Sequence, residues 1–465
     1  MTATFSALNQ STFHDPPHTT LQIKTRYRSL QGPIPSTESL PLLEATDRYF
    51  PRVNCYQPPV VWKRAEGFQV YDHSDNCWID FSSGAVMANT GHGHPRIRTA
   101  LNNHLDQGLL AQFSFSSEIR IQLAEPILSH TPEGLNKVYF LTTGSETTEA
   151  AIRLCRMWGM RQDPNKCKIV TFEGDYHGWT MGAQQVSGSR ASKTWLPDPA
   201  TDIYHLPFPG FPDSNEINGD ALFQASLDHL KRLSICAEDI AAVFIETLQG
   251  WGALTFPDRY LHALRQWADQ HQILLVFDEI QTGFGRTGKW FAHEHYNVRA
   301  DLLCIGKGLT SSLPLAALLG PASILDLLSP AEVTTTHAGH PLSCAAALAN
   351  LDILEEDNLI DQALEKGKLA SATLQQLQTR FPEYIASTKG LGLLQAIHVR
   401  NPATNAPDEE LAWHWTAAAV RRGVMLFHTH RSTLKICPPL IIPEDALVEG
   451  IEALGEALDD YLHSK

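Results

Sequence analysis

The chain reads as an α/β protein: a large domain with a mostly parallel central sheet flanked by helices, plus a smaller α+β domain built from both chain ends. Three observations predict this. Short apolar runs of strand length alternate with helix-length stretches through the middle of the chain, the pattern of a parallel sheet covered on both faces. Helical text dominates after residue 342 and then gives way to a shorter α+β pattern. A length of 465 residues is enough for two or three structural units with a substantial core.

In chain order, residues 1–58 form an N-terminal arm, polar at first and then carrying one short helix, Glu38 to Phe50. Val60–Arg64 and Phe68–Tyr71 read as strands around Glu66-Gly67, and Trp78–Phe81 follows a turn at Asp72–Asn76. Residues 59–90 are thus a β-meander belonging to the small domain. The large domain, residues 91–341, opens on the turn-rich Gly91-His92-Gly93-His94-Pro95. Its strands are Lys137–Leu141, Lys168–Phe172, Ile240–Ile245, Ile273–Phe277 and Leu302–Ile305. Between them lie helices such as Ser145–Arg161, Ala221–Leu233 and Tyr260–His271. Residues 342–465 are the C-terminal α+β domain, beginning with helices Ala345–Leu354 and Leu359–Arg380.

Composition narrows the function. With 36 Lys+Arg against 51 Asp+Glu the net charge is −15, which argues against a nucleic-acid or anionic-membrane surface. The 8 cysteines are scattered with no C-x-x-C pair, so neither a zinc ribbon nor a disulfide scaffold is expected. Met1 to Thr20 lacks the basic segment and apolar core of a secretory signal. The longest apolar stretch, Leu313 to Leu328, is broken by Pro314, Gly320, Pro321 and Asp326, short of the roughly 18–20 apolar residues of a membrane helix. A cytoplasmic enzyme is the expectation.

In an open α/β sheet, ligands belong at the carboxyl ends of the strands, and three motifs stand there. After Lys137–Leu141 comes Thr142-Thr143-Gly144-Ser145-Glu146 at a helix start, where backbone N–H groups and the helix dipole suit a phosphate. An ordinary N-cap accounts for the same residues. After Ile273–Phe277 comes Asp278, an acid at a strand terminus that suits either a ligand or a salt bridge. After Leu302–Ile305 comes Gly306-Lys307-Gly308, a lysine with backbone room around it. In a desolvated pocket such an amine condenses with a carbonyl; on a solvated loop it does nothing. Taken together, the three form the set that pyridoxal 5'-phosphate requires: a phosphate cradle, an acid for the pyridine nitrogen and a lysine for the aldehyde.

These residues resemble the class III (ω-amino-acid type) aminotransferases of fold type I, from about Pro59 to the C-terminus. The central signature is Phe277-Asp278-Glu279-Ile280-Gln281-Thr282-Gly283-Phe284-Gly285-Arg286-Thr287-Gly288, with Lys307 lying 29 positions beyond Asp278. The resemblance implies that Lys307 is the Schiff-base lysine and proton shuttle, and Asp278 the acid on the pyridine nitrogen. It implies that Gly144 and Ser145 form the phosphate turn. Tyr176 of Tyr176-His177-Gly178 is expected to stack on the ring, with His177 beside it. Gln281 matches the residue near the phenolic oxygen, and Glu246 the glutamate closing the strand before Gln249-Gly250. Thr336 precedes His337-Ala338-Gly339-His340-Pro341, where the family's threonine reaches the neighbouring subunit's phosphate. That last point implies a homodimer at least, with a tetramer of paired dimers as the other arrangement left open.

The implied reaction is ping-pong transamination from an ω-amino acid, amine or amino acid donor to a keto acid or aldehyde. A racemase, an aminomutase or a decarboxylating transaminase of the same fold is the alternative. A non-catalytic binding domain is disfavoured, because Lys307 and Asp278 are both present.

Two positions depart from the pattern. Members that use glutamate and 2-oxoglutarate carry an arginine in Arg-Gly-x-Gly and a glutamate in Gln-Gly-Glu-Gly. Here these are Lys389 and Trp251. Lysine is no bidentate stand-in for arginine, and tryptophan cannot accept a salt bridge. Either Lys389 still binds a carboxylate as a point charge, or the pocket is more apolar and suits an amine or hydrophobic donor. Arg431, in His428-Thr429-His430-Arg431, offers a second carboxylate site or is a plain loop arginine. His92-Gly93-His94 has no third ligand at a useful spacing, so no metal is expected.

Overall fold

The computed structural model describes residues 22–51, 57–113, 115–196, 200–210, 218–330, 332–429 and 431–463. Much of the expected arm and His430 therefore lie outside the described residues. The chain divides into two compact units. One comprises residues 87–89 and 95–364; the other takes the residues before 87, residues 90–94 and those from 365 onward.

The first unit is built on a seven-stranded sheet. Its order is Lys137–Leu141, Ala316–Gly320, Leu302–Ile305, Leu274–Asp278, Ile240–Glu246, Lys168–Phe172 and Ile203–Leu206. Adjacent pairs are parallel except at Ala316–Gly320, which runs antiparallel to both its neighbours. The sheet is thus mostly parallel, and the fold is the mixed α/β architecture expected. Ala316–Gly320 was hidden in the apolar stretch that begins at Leu313. A strand buried on both faces shows no alternation, and Pro314 and Gly320, which read as breaks, stand at its borders.

Helix Gly144–Met160 covers this sheet. Its Ala150, Ala151, Leu154 and Cys155 are buried in one cluster with Phe244, Val276, Cys304 and Leu318. Helix Pro341–Glu356 packs on helices Pro95–Asp106 and Glu118–Ser129 of the same unit. The unit boundary accordingly falls after Leu364, not at residue 342 where the change to helical text suggested it.

The second unit draws on both chain ends. Strands Arg64–Glu66, Gln69–Tyr71 and Cys77–Asp80 form an antiparallel meander, its first strand starting four residues later than Val60. Cys77–Asp80 also pairs in parallel with Val424–Met425, and Trp78 Nε1 donates to the Val420 carbonyl at 2.8 Å. A three-stranded antiparallel sheet, Ile385–Leu391, Leu394–Val399 and Thr433–Ile436, completes it with helices Glu409–Arg421 and Glu444–His463. Among the described residues no helix is long and apolar enough to cross a membrane.

One close approach in the first unit is open to test. A Cβ on Gly159 would overlap the Lys166 carbonyl oxygen and stand 2.9 Å from Ala241 Cβ. Gly159→Ala is expected to cost about 1–3 kcal/mol, the usual penalty of overpacking, read as a lower urea midpoint at unchanged slope.

Candidate active site

The carboxyl ends of the central strands lie in register. Asp278 stands opposite Glu246 on one side and Cys304 on the other, and the Glu279 N–H donates to the Cys304 carbonyl at 2.9 Å. Lys307 follows Cys304 by three residues. Ile280 ties the three motifs together. A Cβ on Gly144 would lie 2.8 Å from its Cδ1, and a Cβ on Gly306 would lie 3.5 Å from its Cγ2. The helix start, the acid loop and the lysine loop therefore meet around one side chain.

At the helix start, Thr143 is an N-cap within a capping box. Thr143 Oγ1 accepts from the Glu146 N–H at 3.3 Å, and Glu146 Oε2 accepts from the Thr142 and Thr143 N–H groups at 2.9 Å each. The N-cap reading of this motif is thus correct. It leaves a role for a phosphate, because the amides of Gly144 and Ser145 lie in the first turn, where a helix offers no carbonyl partner.

Asp278 is 5% exposed and is held by His177, whose Nδ1 lies 2.8 Å from Asp278 Oδ2. The Ile280 N–H donates to Asp278 Oδ1 at 3.1 Å. Beyond His177, Nε2 lies 3.5 Å from Asp175 Oδ2. Burial alone would lower the His177 pKa, but the Asp175 and Asp278 carboxylates outweigh it and raise the imidazole to about 10. Glu246 is buried beside this pair. Its Oε1 accepts from the Tyr176 N–H at 2.6 Å and its Oε2 from the Gly250 N–H at 3.0 Å. Burial, then Asp175, pushes Glu246 up to about 7 against the pull of His177. A Cβ on Gly250 would overlap Gln281 Oε1, so Gln281 and Glu246 border the same turn.

Lys307 adopts a left-handed φ of 41° at the head of a 3-10 turn. Buried Asn350 supports the backbone just after it, and buried Asn89 lies against Gly308. Asn350 Nδ2 donates to the Gly308 and Leu309 carbonyls at 2.9 and 3.0 Å. Asn89 donates to the Phe284 carbonyl at 2.8 Å and accepts from Arg286 at 2.7 Å; a Cβ on Gly308 would overlap its amide. Glu279, buried next to Asp278, accepts from Thr247 at 2.9 Å, from the Ala292 and His293 N–H groups at 2.9 and 2.8 Å, and from Thr282. Its side chain pins these loops together.

The other expected residues are placed as follows. Tyr176 is half-exposed beside Trp179, ring centroids 5.7 Å apart, and burial with Asp278 and Glu246 pushes its hydroxyl up to about 12. Thr336 is exposed, while its neighbour Thr335 bonds Thr142 Oγ1 at 3.0 Å in the same chain. Trp251 Nε1 donates to Gln249 Oε1 at 3.0 Å. Lys389 and Arg431 belong to the other unit. Lys389 pairs in register with Ala396, and the charge of Arg431 acts on Glu409. His92 Nε2 lies 2.7 Å from Asp80, and among the described residues no group of three His, Cys, Asp or Glu is placed to hold a metal. Sequence reading missed Asp175, Asn89 and Asn350. Of these only Asp175 had a signal, standing two residues before His177.

A buried acid with lone pairs to spare, a helix start with two amides and an amine on the adjoining strand end suit a protonated pyridine, a phosphate and an aldehyde. Fold and donor set together define a pyridoxal-phosphate-dependent enzyme of fold type I. The chain belongs to the class III aminotransferases, whose family model, "Aminotransferase class-III", matches residues 52–458. It is a transaminase that uses pyridoxal 5'-phosphate. A probable 4-aminobutyrate aminotransferase of Bacillus subtilis is 33% identical over 407 residues, 85% of this chain and 92% of that protein. An alanine/serine racemase of Pyrococcus horikoshii is 32% identical over 421 residues, 88% of this chain and 87% of that one. The crystal structure of a transaminase from the marine bacterium Virgibacillus matches with TM-score 0.82 at 29% identity, covering 91% of this chain and 99% of that one.

Asn350 provides the local test. Asn350→Leu keeps the volume but removes both donors to the backbone beyond Lys307, and is expected to destabilise the protein by about 1–3 kcal/mol in urea.

Proposed function

We propose that the enzyme passes amino groups from an amine, an ω-amino acid or an amino acid to a keto acid or aldehyde, with Lys307 and Asp278 as its catalytic residues. The observation that carries this reading is the buried Asp278, held on one side by His177 at 2.8 Å, with Lys307 on the adjoining strand end. The Asp278 carboxylate holds the proton on the ring nitrogen. Lys307 Nζ would hold the aldehyde carbon between turnovers and, once released by the donor amine, would move the proton from the donor carbon to that aldehyde-derived carbon, the transfer running in reverse in the second half-reaction. Gly144 and Ser145 hold the phosphate through their amides, and Thr336 of a second copy reaches the same group. Tyr176 covers a ring face and keeps water from it. Gln281 would meet the phenolic oxygen of the bound cofactor, and Glu246 fixes the Tyr176 and Gly250 backbones beside that turn. When bound, pyridoxal 5'-phosphate supplies the electron sink that stabilises charge on the donor carbon.

Trp251 supports an apolar donor pocket. Its indole is anchored on Gln249 where relatives using glutamate carry an acid, and it can neither swing in as a counter-charge nor pair with Lys389. Arg431 is the weaker carboxylate candidate, its charge acting on Glu409. Two further features support a homodimer: exposed Leu105, Leu109, Phe113, Phe115 and Ile121 crowd one stretch of chain, and Thr336 is itself exposed. Cytoplasmic placement agrees with the seven described cysteines, none of which forms a disulfide.

A second reading has a specific basis, the likeness to an alanine/serine racemase. Transfer of nitrogen between two different molecules separates the two, because racemisation leaves the nitrogen on its carbon and removes and returns only a proton. A donor-by-acceptor screen on the purified enzyme is expected to show net transfer, with pyruvate preferred over 2-oxoglutarate. Lys307→Ala should lower the rate by at least about 10²–10⁴-fold, the contribution of a positioned general base. Inversion of alanine without transfer would favour the racemase. A strong 2-oxoglutarate preference abolished by Lys389→Ala would contradict the apolar pocket.

A further inference from the structure

We propose that Asp175 is a positioning residue of this site: with Asp278 it clamps His177 as an imidazolium, and by offsetting that cation it leaves Asp278 anionic toward the ring nitrogen. The proposal rests on the reading of Asp278 as the ring nitrogen's partner.

Both ring nitrogens of His177 face carboxylates, Nδ1 with Asp278 Oδ2 at 2.8 Å and Nε2 with Asp175 Oδ2 at 3.5 Å. The imidazole and Asp175 side chains are fully buried and Asp278 is nearly so. A neutral imidazole carries one N–H and one lone pair, so either tautomer would point a lone pair at a buried anion. Only the doubly protonated ring donates to both. Thr171 Oγ1, also 3.5 Å from Nε2, is a hydroxyl and accommodates either state.

The orientation of Asp175 is independently fixed. Trp251 Nε1 is a donor only, so the Gln249 atom it meets at 3.0 Å is the amide oxygen. That leaves Gln249 Nε2 to donate to Asp175 Oδ1 at 2.6 Å and to the Glu173 carbonyl at 2.8 Å. The Glu246 N–H reaches Asp175 Oδ2 at 3.3 Å. Burial raises the Asp175 pKa on balance, with the His177, Gln249 and Glu246 donors working against that rise.

Charge balance gives the arrangement its purpose. Two carboxylates and one imidazolium leave one negative charge, which a protonated ring nitrogen cancels. Without Asp175, two buried cations would share Asp278, and one of them would lose its proton. The other groups around His177 do not replace it. Glu246 on the neighbouring strand is pushed up to about 7, Phe244 presents its ring at 6.1 Å, and Ser187 Oγ accepts the His177 backbone N–H at 2.9 Å.

The test is the ¹⁵N spectrum of the histidines in cofactor-loaded enzyme, with His177 assigned by its loss in His177→Gln. Both nitrogens of His177 are expected to be protonated at pH 7.5, with no titration below about pH 9. In Asp175→Asn the ring should titrate between about pH 6 and 8, and the bound cofactor's absorbance should gain a transition in that range. A neutral His177 in the wild-type enzyme, or an unchanged titration in Asp175→Asn, would overturn the proposal. The wild-type spectrum decides if the variant does not fold. Full amino transfer by Asp278→Asn would instead remove the ring-nitrogen reading, whatever His177 shows.

Discussion

The 2.8 Å contact between His177 Nδ1 and Asp278 Oδ2 is the constraint around which the larger unit is organised. An ionised carboxyl this deep is costly unless it is paired and hydrogen-bonded. The surrounding structure meets that cost with a histidine, a backbone N–H from Ile280 and, one contact further out, a second carboxylate. His177 and Asp175 come from the loop after Lys168–Phe172, and Ile280 from the loop that follows Asp278 itself. Holding one acid in place therefore requires Leu274–Asp278, Ile240–Glu246 and Lys168–Phe172 to keep their register.

The same constraint explains why so many buried polar side chains near the site bond to backbone. Asn350, Asn89, Glu279 and Gln249 meet loop carbonyls or N–H groups at the strand ends. They hold loops that no sheet or helix ladder supports. Lys307 benefits most, since its left-handed φ is held only as long as the turn behind it is. The −15 net charge does not conflict with a phosphate ligand, because a helix start acts over a few ångströms while surface charges are screened by salt.

The alternation of apolar runs and helices was legible in the residues, as were the strand-end positions of Gly144, Asp278 and Lys307, because periodicity and glycine punctuation are local. Three features were not. Ala316–Gly320 lacks alternation and sits between a proline and a glycine, so its antiparallel pairing is set by its neighbours. The unit boundary depends on which helices Pro341–Glu356 packs against, which no local pattern states. Asp175 is a lone loop acid whose meaning arises only when the sheet brings residues 177, 249 and 278 to it. The capping box at Thr143 shows a further limit: one sequence pattern forms a cap and still leaves two first-turn amides open to a ligand, so the two readings do not exclude each other.

The proposed chemistry depends on one amine, that of Lys307. Cofactor-loaded enzyme reduced with borohydride and digested should carry the phosphopyridoxyl mass on the peptide containing Lys307. Lys193 is the instructive competitor: half-buried, with burial holding its amine down to about 8, it is the better nucleophile for a chance reaction with an aldehyde. Stoichiometric label confined to Lys307 is the predicted result. Label on Lys193 or any other lysine, with Lys307 unmodified, would contradict the site described.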